Sequence, residues 1–137
     1  MKWVKQSIHY WCPDTKEHKF LGQNVTVAIL DTGISPHPDF KGRILSFRDF
    51  SSTTGSSEKV LFSFSHFSPL IDNSGHGTHV AGILAGSGLL SSGTYAGIAP
   101  FCNLIIGKVL DQNGNGSIKN VINGIQWIRD IYTQFHI

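Results

Sequence analysis

With 137 residues, 40% of them hydrophobic and 15% charged, the chain is long enough for one globular domain with a real core. Its net charge is only +2, and the seven basic residues before Phe50 are scattered, which argues against a nucleic-acid-binding patch and a polybasic membrane anchor. No apolar run approaches the length that spans a bilayer.

Residues 1–21 are mixed and polar and read as an N-terminal extension, a short helix with a turn that ends at Gly22. Lysines occur early, but no apolar stretch of signal-peptide type follows them, so the expected location is cytoplasmic. Cys12 and Cys102 stand far apart and in no metal spacing, and are expected to be idle thiols. The β-branched run "NVTVAIL" (24–30) suits a strand buried on both faces. "RILSF" (43–47) is a second candidate strand, and "SSTTGSSEK" (51–59) is expected to be a mobile loop. "GHGTHVAGILAG" (75–86) turns from glycine-rich to apolar, as a loop entering a helix does. "NLIIGKVL" (103–110) is a third strand and "DQNGNG" (111–116) a turn. From Ile118 to Phe135 apolar residues recur at helical spacing, with Ser117 placed to cap the first turn. Strands alternating with helices predict an α/β fold, a parallel sheet flanked by helices. About three strands are expected, with one edge poorly covered, as in an incomplete domain.

In such sheets chemistry gathers at the carboxyl ends of strands, and Asp31 closes the first one. Two chemistries use an aspartate in this setting. A homodimeric aspartic protease would pair Asp31 with its copy across a dimer so that one proton is shared. That family is nearly all β, and the long C-terminal helix fits it poorly. Alternatively Asp31 orients a histidine, and "DNSGHGTHVAGI" (72–83) offers one. His76 has glycine on both sides, which leaves room for a substrate backbone, and a helix behind it as a rigid mount. His76, His79 and Asp72 could also be read as metal ligands, but no further strong ligand stands at a familiar spacing, and no metal site is expected.

"VAILDTGISPHPDF" and "NSGHGTHVAGI" resemble the Asp and His segments of the subtilisin-like serine proteases (subtilases, peptidase S8), in the family's order of Asp, His and then Ser. "YAGIAPFCNLIIGKVLDQNGNGSIKNVINGIQWI" resembles the stretch that follows, and the likeness runs from about Gly22 to Trp127. The resemblance implies a three-layer α/β architecture in which residues 22–137 form about the N-terminal half of a peptidase domain. It implies peptide-bond hydrolysis by an Asp-His-Ser triad in which Asp31 orients His76 and His76 is the general base. Polypeptides would be the substrate, paired as an added strand along Gly114, Asn115 and Gly116, with Leu110 and Val121 as pocket walls. His79 is expected to pack or hydrogen-bond within its helix. No cofactor is required for that chemistry.

The sequence departs from the family pattern in what it lacks. None of the 137 residues forms a Gly-Thr-Ser stretch or a G-x-S-x-G elbow. The chain is therefore expected to carry two triad members without the nucleophile, with the C-terminal half of the domain as a partner. A truncated remnant that binds peptides without cutting is the alternative. Asp39 matches a position that binds calcium in some members, but the loop "GSGLLSSGTYAG" lacks the pattern that supplies the other ligands, so structural calcium is not expected there.

Overall fold

The structure, a computed structural model, describes residues 2–8, 10, 20–51, 58–60 and 72–137. The elements run α1 (Lys2–Ser7), β1 (Thr26–Asp31), β2 (Ile44–Asp49), β3 (Glu58–Val60), α2 (His76–Ala85), β4 (Asn103–Lys108) and α3 (Ile118–Phe135). The sheet order is β1-β4-β2-β3. β4 pairs in parallel with β1, Thr26 opposite Asn103 through Asp31 opposite Lys108, and in parallel with β2, with one irregularity between Ile44 and Ser46. The expected three strands are present. The fourth, β3, adds antiparallel to β2 and overlaps the end of the stretch read as a loop. Its three residues carry no strand pattern of their own; pairing to the free edge of β2 makes the strand. The rest of that stretch, 52–57, and Cys12 lie outside the described residues.

Alternate residues of each strand serve opposite faces. Leu104 and Ile106 of β4, with Ile29 and Phe47, pack under Ala81 and Ala85 of α2; Ile105, with Ala28 and Leu45, faces Trp127 and Phe135 of α3. Both faces are covered, which is why β4 reads as an unbroken apolar run. The result is three layers, helix, sheet and helix. Small residues admit close approach on the α3 side. A Cβ at Gly124 would meet Val109 at 2.9 Å and Leu30 at 3.0 Å. Ser117 caps α3, its hydroxyl accepting from the Asn120 N–H at 3.1 Å.

Arg43 ties three elements together. Its guanidinium donates to the carbonyls of Cys102 (2.8 Å) and Ala85 (2.6 Å) and to that of Asp39. Burial lowers the pKa of this guanidinium, and burial likewise pushes that of the Cys102 thiol up. Cys102 is a free thiol with no exposed surface. At the other end, Lys5 of α1 donates to the Gly97 carbonyl (2.7 Å) and the Tyr10 hydroxyl to that of Ile98 (3.0 Å), so the extension is seated on the loop before β4. No helix among the described residues is long and apolar enough to cross a membrane.

Candidate active site

β1 delivers Asp31 to the carboxyl end of the sheet as its last residue. There the neighbouring strand ends too, and the Asp31 carbonyl accepts from the N–H groups of Val109 (2.9 Å) and Leu110 (3.2 Å). Its carboxylate Oδ1 accepts from the Thr32 N–H at 2.7 Å. α2 begins with His76, directly after Gly75, whose φ of 84° lies in the left-handed region that glycine tolerates. His76 Nδ1 lies 2.7 Å from Asp31 Oδ1. The aspartate side chain is 12% exposed and the histidine side chain 62%, so one ring nitrogen is held from below while the rest of the ring faces outward. The hydrogen bond to Asp31, then the charge of Asp31, hold the imidazole above its ordinary value; slight desolvation opposes this and Asp72 adds to it. A buried carboxylate on Nδ1 fixes the tautomer and stabilises the imidazolium, which is what a general base requires.

The helix start is fastened by Thr32, which the motifs do not single out, and by Asp72, weighed above only as a metal ligand. Asp72 Oδ1 accepts from the Gly75 N–H (2.8 Å), and Oδ2 from the N–H (2.8 Å) and hydroxyl (2.5 Å) of Thr78. Thr32, 1% exposed, donates its hydroxyl to Asp72 Oδ1 (2.8 Å) and accepts the Gly77 N–H (2.9 Å). Burial of Asp72 works against its charge, but the bonds from Thr78, Thr32 and Gly75 outweigh it and pull the carboxyl down to about 2. The signal available in the sequence was an Asp three residues ahead of Gly75, at capping distance from the helix. Gly77 is required sterically: a Cβ there would stand 2.2 Å from the Gly33 carbonyl oxygen. Lys108, 6% exposed at the end of β4, donates to the carbonyls of Thr32 (2.5 Å) and Leu110 (2.9 Å), linking the Asp31 segment to the next loop.

The remaining candidate residues are placed as follows. Leu110 is half-buried beside Asp31. Gly114, Asn115 and Gly116 are exposed in a turn built on Asp111, whose carboxylate accepts the N–H groups of Asn113 (2.8 Å) and Asn115 (2.9 Å). The Asn115 carbonyl accepts from Asp111 N–H (2.7 Å) and the Gly114 N–H donates to Asp111 (3.1 Å), so both residues spend backbone groups within the turn. Gly116 lies against the Val109 carbonyl, 2.6 Å from where a Cβ would stand. Val121 is half-buried in the first turns of α3. His79 is exposed one turn after His76, because α2 turns its other side, Gly77, Ala81 and Ala85, to the core; of the two expectations for it, packing is not met, while its N–H donates to the Gly75 carbonyl at 3.0 Å. Asp39 directs its carboxylate at the N–H groups of Gly88 (2.9 Å) and Leu90 (3.4 Å).

Comparison with known proteins places the chain in a family. A family model described as the subtilase family matches residues 22–135. The chain is 47% identical over 106 residues to the serine protease AprX of Bacillus subtilis (strain 168), covering 77% of this chain and 21% of that protein. It is 41% identical over 108 residues to the major intracellular serine protease of the same organism, covering 77% of this chain and 30% of that protein. Among solved structures, sphericase superposes with a TM-score of 0.69 at 30% identity, over 82% of this chain and 34% of that one. The CspB protease of Clostridium perfringens gives 0.75 at 26% identity, over 90% and 29%. The chain thus spans less than a third of the curated relatives it matches. With both motifs joined in one site and the likeness running through most of its length, the chain belongs to the subtilase family.

Proposed function

We propose that this chain supplies the acid–base half of a serine endopeptidase site, with Asp31 as the orienting carboxylate and His76 as the general base. The observation that carries this reading is the 2.7 Å contact from Asp31 Oδ1 to His76 Nδ1, with the histidine side chain 62% exposed. In the reaction, His76 takes the proton of an attacking serine hydroxyl and returns it to the leaving amine, while Asp31 stabilises the imidazolium between these steps. Substrate is a polypeptide, laid along the loop at Gly116 with Leu110 beside the reacting centre. The nucleophile and the oxyanion donors come from segments other than these 137 residues, which hold no Gly-Thr-Ser stretch.

By itself the 137-residue polypeptide is proposed to be inactive. Loss of the serine alone removes roughly 10⁶-fold in turnover, a magnitude measured on subtilisin itself. Incubation with casein and with a fluorogenic peptide should therefore release nothing above buffer. Cleavage that a serine-directed reagent abolishes would refute the inactivity. In a longer protein joining this chain to a serine segment, His76→Ala should lower kcat by about 10⁶-fold. Activity that survived His76→Ala but not Asp31→Ala would instead favour an aspartic mechanism, which has no use for the histidine.

A further inference from the structure

His76 is the first residue of its helix, and its exposed ring is held by Asp31. A ring in that position is only as well placed as the first turn of α2 is placed on the end of β1. Helix starts leave N–H groups without intrahelical partners, and here those groups do the fastening. Gly75 and Thr78 donate to Asp72, Gly77 donates to Thr32, and Thr32 donates onward to Asp72. Thr32 is also the residue after Asp31, and its own N–H donates to the same Asp31 oxygen that meets the imidazole. A closed circuit of hydrogen bonds thus runs from the acid, through Thr32 and Asp72, into the helix that carries the base.

We propose that Asp72 and Thr32 are the positioning residues that hold His76 over Asp31. Asp72 bonds to Thr32, Gly75 and Thr78 and so acts through α2, and its negative charge suits the positive end of the helix dipole. Among the described residues, the charged groups that act on His76 are Asp31 from β1 and Asp72 from the segment before α2. Lys108, at the end of β4, is directed at the carbonyls of Thr32 and Leu110, and His79 is exposed one turn further along. The charge of Asp72 also raises the pKa of the imidazole, after the larger effects of Asp31. The proposal rests on reading Asp31 and His76 as an acid–base pair, and its test separates the two.

Histidine-labelled 137-residue chain is titrated by NMR as wild type, Asp72→Asn, Thr32→Val and Thr32→Ser, with amide spectra recorded to establish folding. In the wild type, His76 should titrate above free histidine and show a protected Nδ1–H signal. Asp72→Asn and Thr32→Val should each lower the titration midpoint and lose the protected signal, and Thr32→Ser, which keeps the hydroxyl, should restore both. If Asp72→Asn unfolds, the near-isosteric Thr32→Val decides. Folded Thr32→Val with His76 titrating and protected as in the wild type overturns the proposal. A wild-type His76 that titrates like free histidine overturns the acid–base reading itself, whatever the variants do.

Discussion

His76 and Asp72 respond to pH in opposite directions. The imidazole is held above its ordinary 6.5, so its protonated form stabilises the fold below 6.5, and that contribution is lost as pH rises through the folded value. The thermal midpoint should decline over that alkaline range, and His76→Gln should flatten the decline. Asp72 is held at about 2 against an ordinary 3.8, so its contribution is complete above 3.8 and is lost as pH falls toward 2. Acid unfolding followed by circular dichroism should begin at a higher pH once Asp72 is replaced by Asn. At this scale Asp31 and His76 were legible in the sequence because their neighbours are diagnostic: a strand end followed by Thr-Gly, and a histidine between glycines. Thr32 and Asp72 were not, because a threonine or aspartate becomes part of a site only through what the fold puts opposite it. Forty residues separate them along the chain, and one hydrogen bond of 2.8 Å joins them.

Between elements, α2 is set on the sheet by contacts with little slack. Gly77→Ala would drive a methyl group into the Gly33 carbonyl, at 2.2 Å, and must push α2 away from β1. The expected cost is about 1–3 kcal/mol or more, read as a lower urea midpoint, together with loss of the protected His76 signal. Gly82→Ala, on the same helix with open space around its would-be Cβ, is the control and should be neutral or mildly stabilising. Arg43 clamps the far end of α2 to β2 and β4 through three carbonyls. Arg43→Met should cost roughly 1.5–3 kcal/mol, the scale of hydrogen bonds to a charged donor. Next to it, Asp39 already takes two backbone N–H groups, a set of donors that competes with a cation for the same oxygens. We therefore expect the thermal midpoint to be the same in a chelator and in millimolar calcium; a rise with calcium that Asp39→Asn removes would show that a cation does bind there.

At the scale of the whole molecule, the described residues form two apolar cores separated by one sheet, and the smaller of them depends on Trp127. That side chain is 3% exposed and packs against Phe50 with ring centroids 5.7 Å apart. Trp127→Ala should remove about 3–5 kcal/mol, a large part of the roughly 5–15 kcal/mol that stabilises a domain. Urea unfolding should show a clearly lower midpoint than the wild type, by the share of stability that this loss represents. The fold class was readable from the order of strand and helix patterns, since the 2- and 3.6-residue periods are local properties of the chain. So were the capping serine of α3 and the two segments that bring Asp31 and His76 together. The short strand β3 was not, because its pairing is conferred by the edge of β2. The exposure of His79 was not legible for a related reason: helical periodicity says that one face is buried, but the sheet decides which one. The insertion of β4 between β1 and β2 was equally invisible, though it places Lys108 and Leu110 beside Asp31. Composition, period and motif thus determined the class of fold and the family, because each is written in neighbouring residues, and they singled out Asp31 and His76 as the proposed pair. Only tertiary structure decided what holds that pair at 2.7 Å, because those partners lie far apart in sequence and meet only when the strand ends and the helix start are brought together.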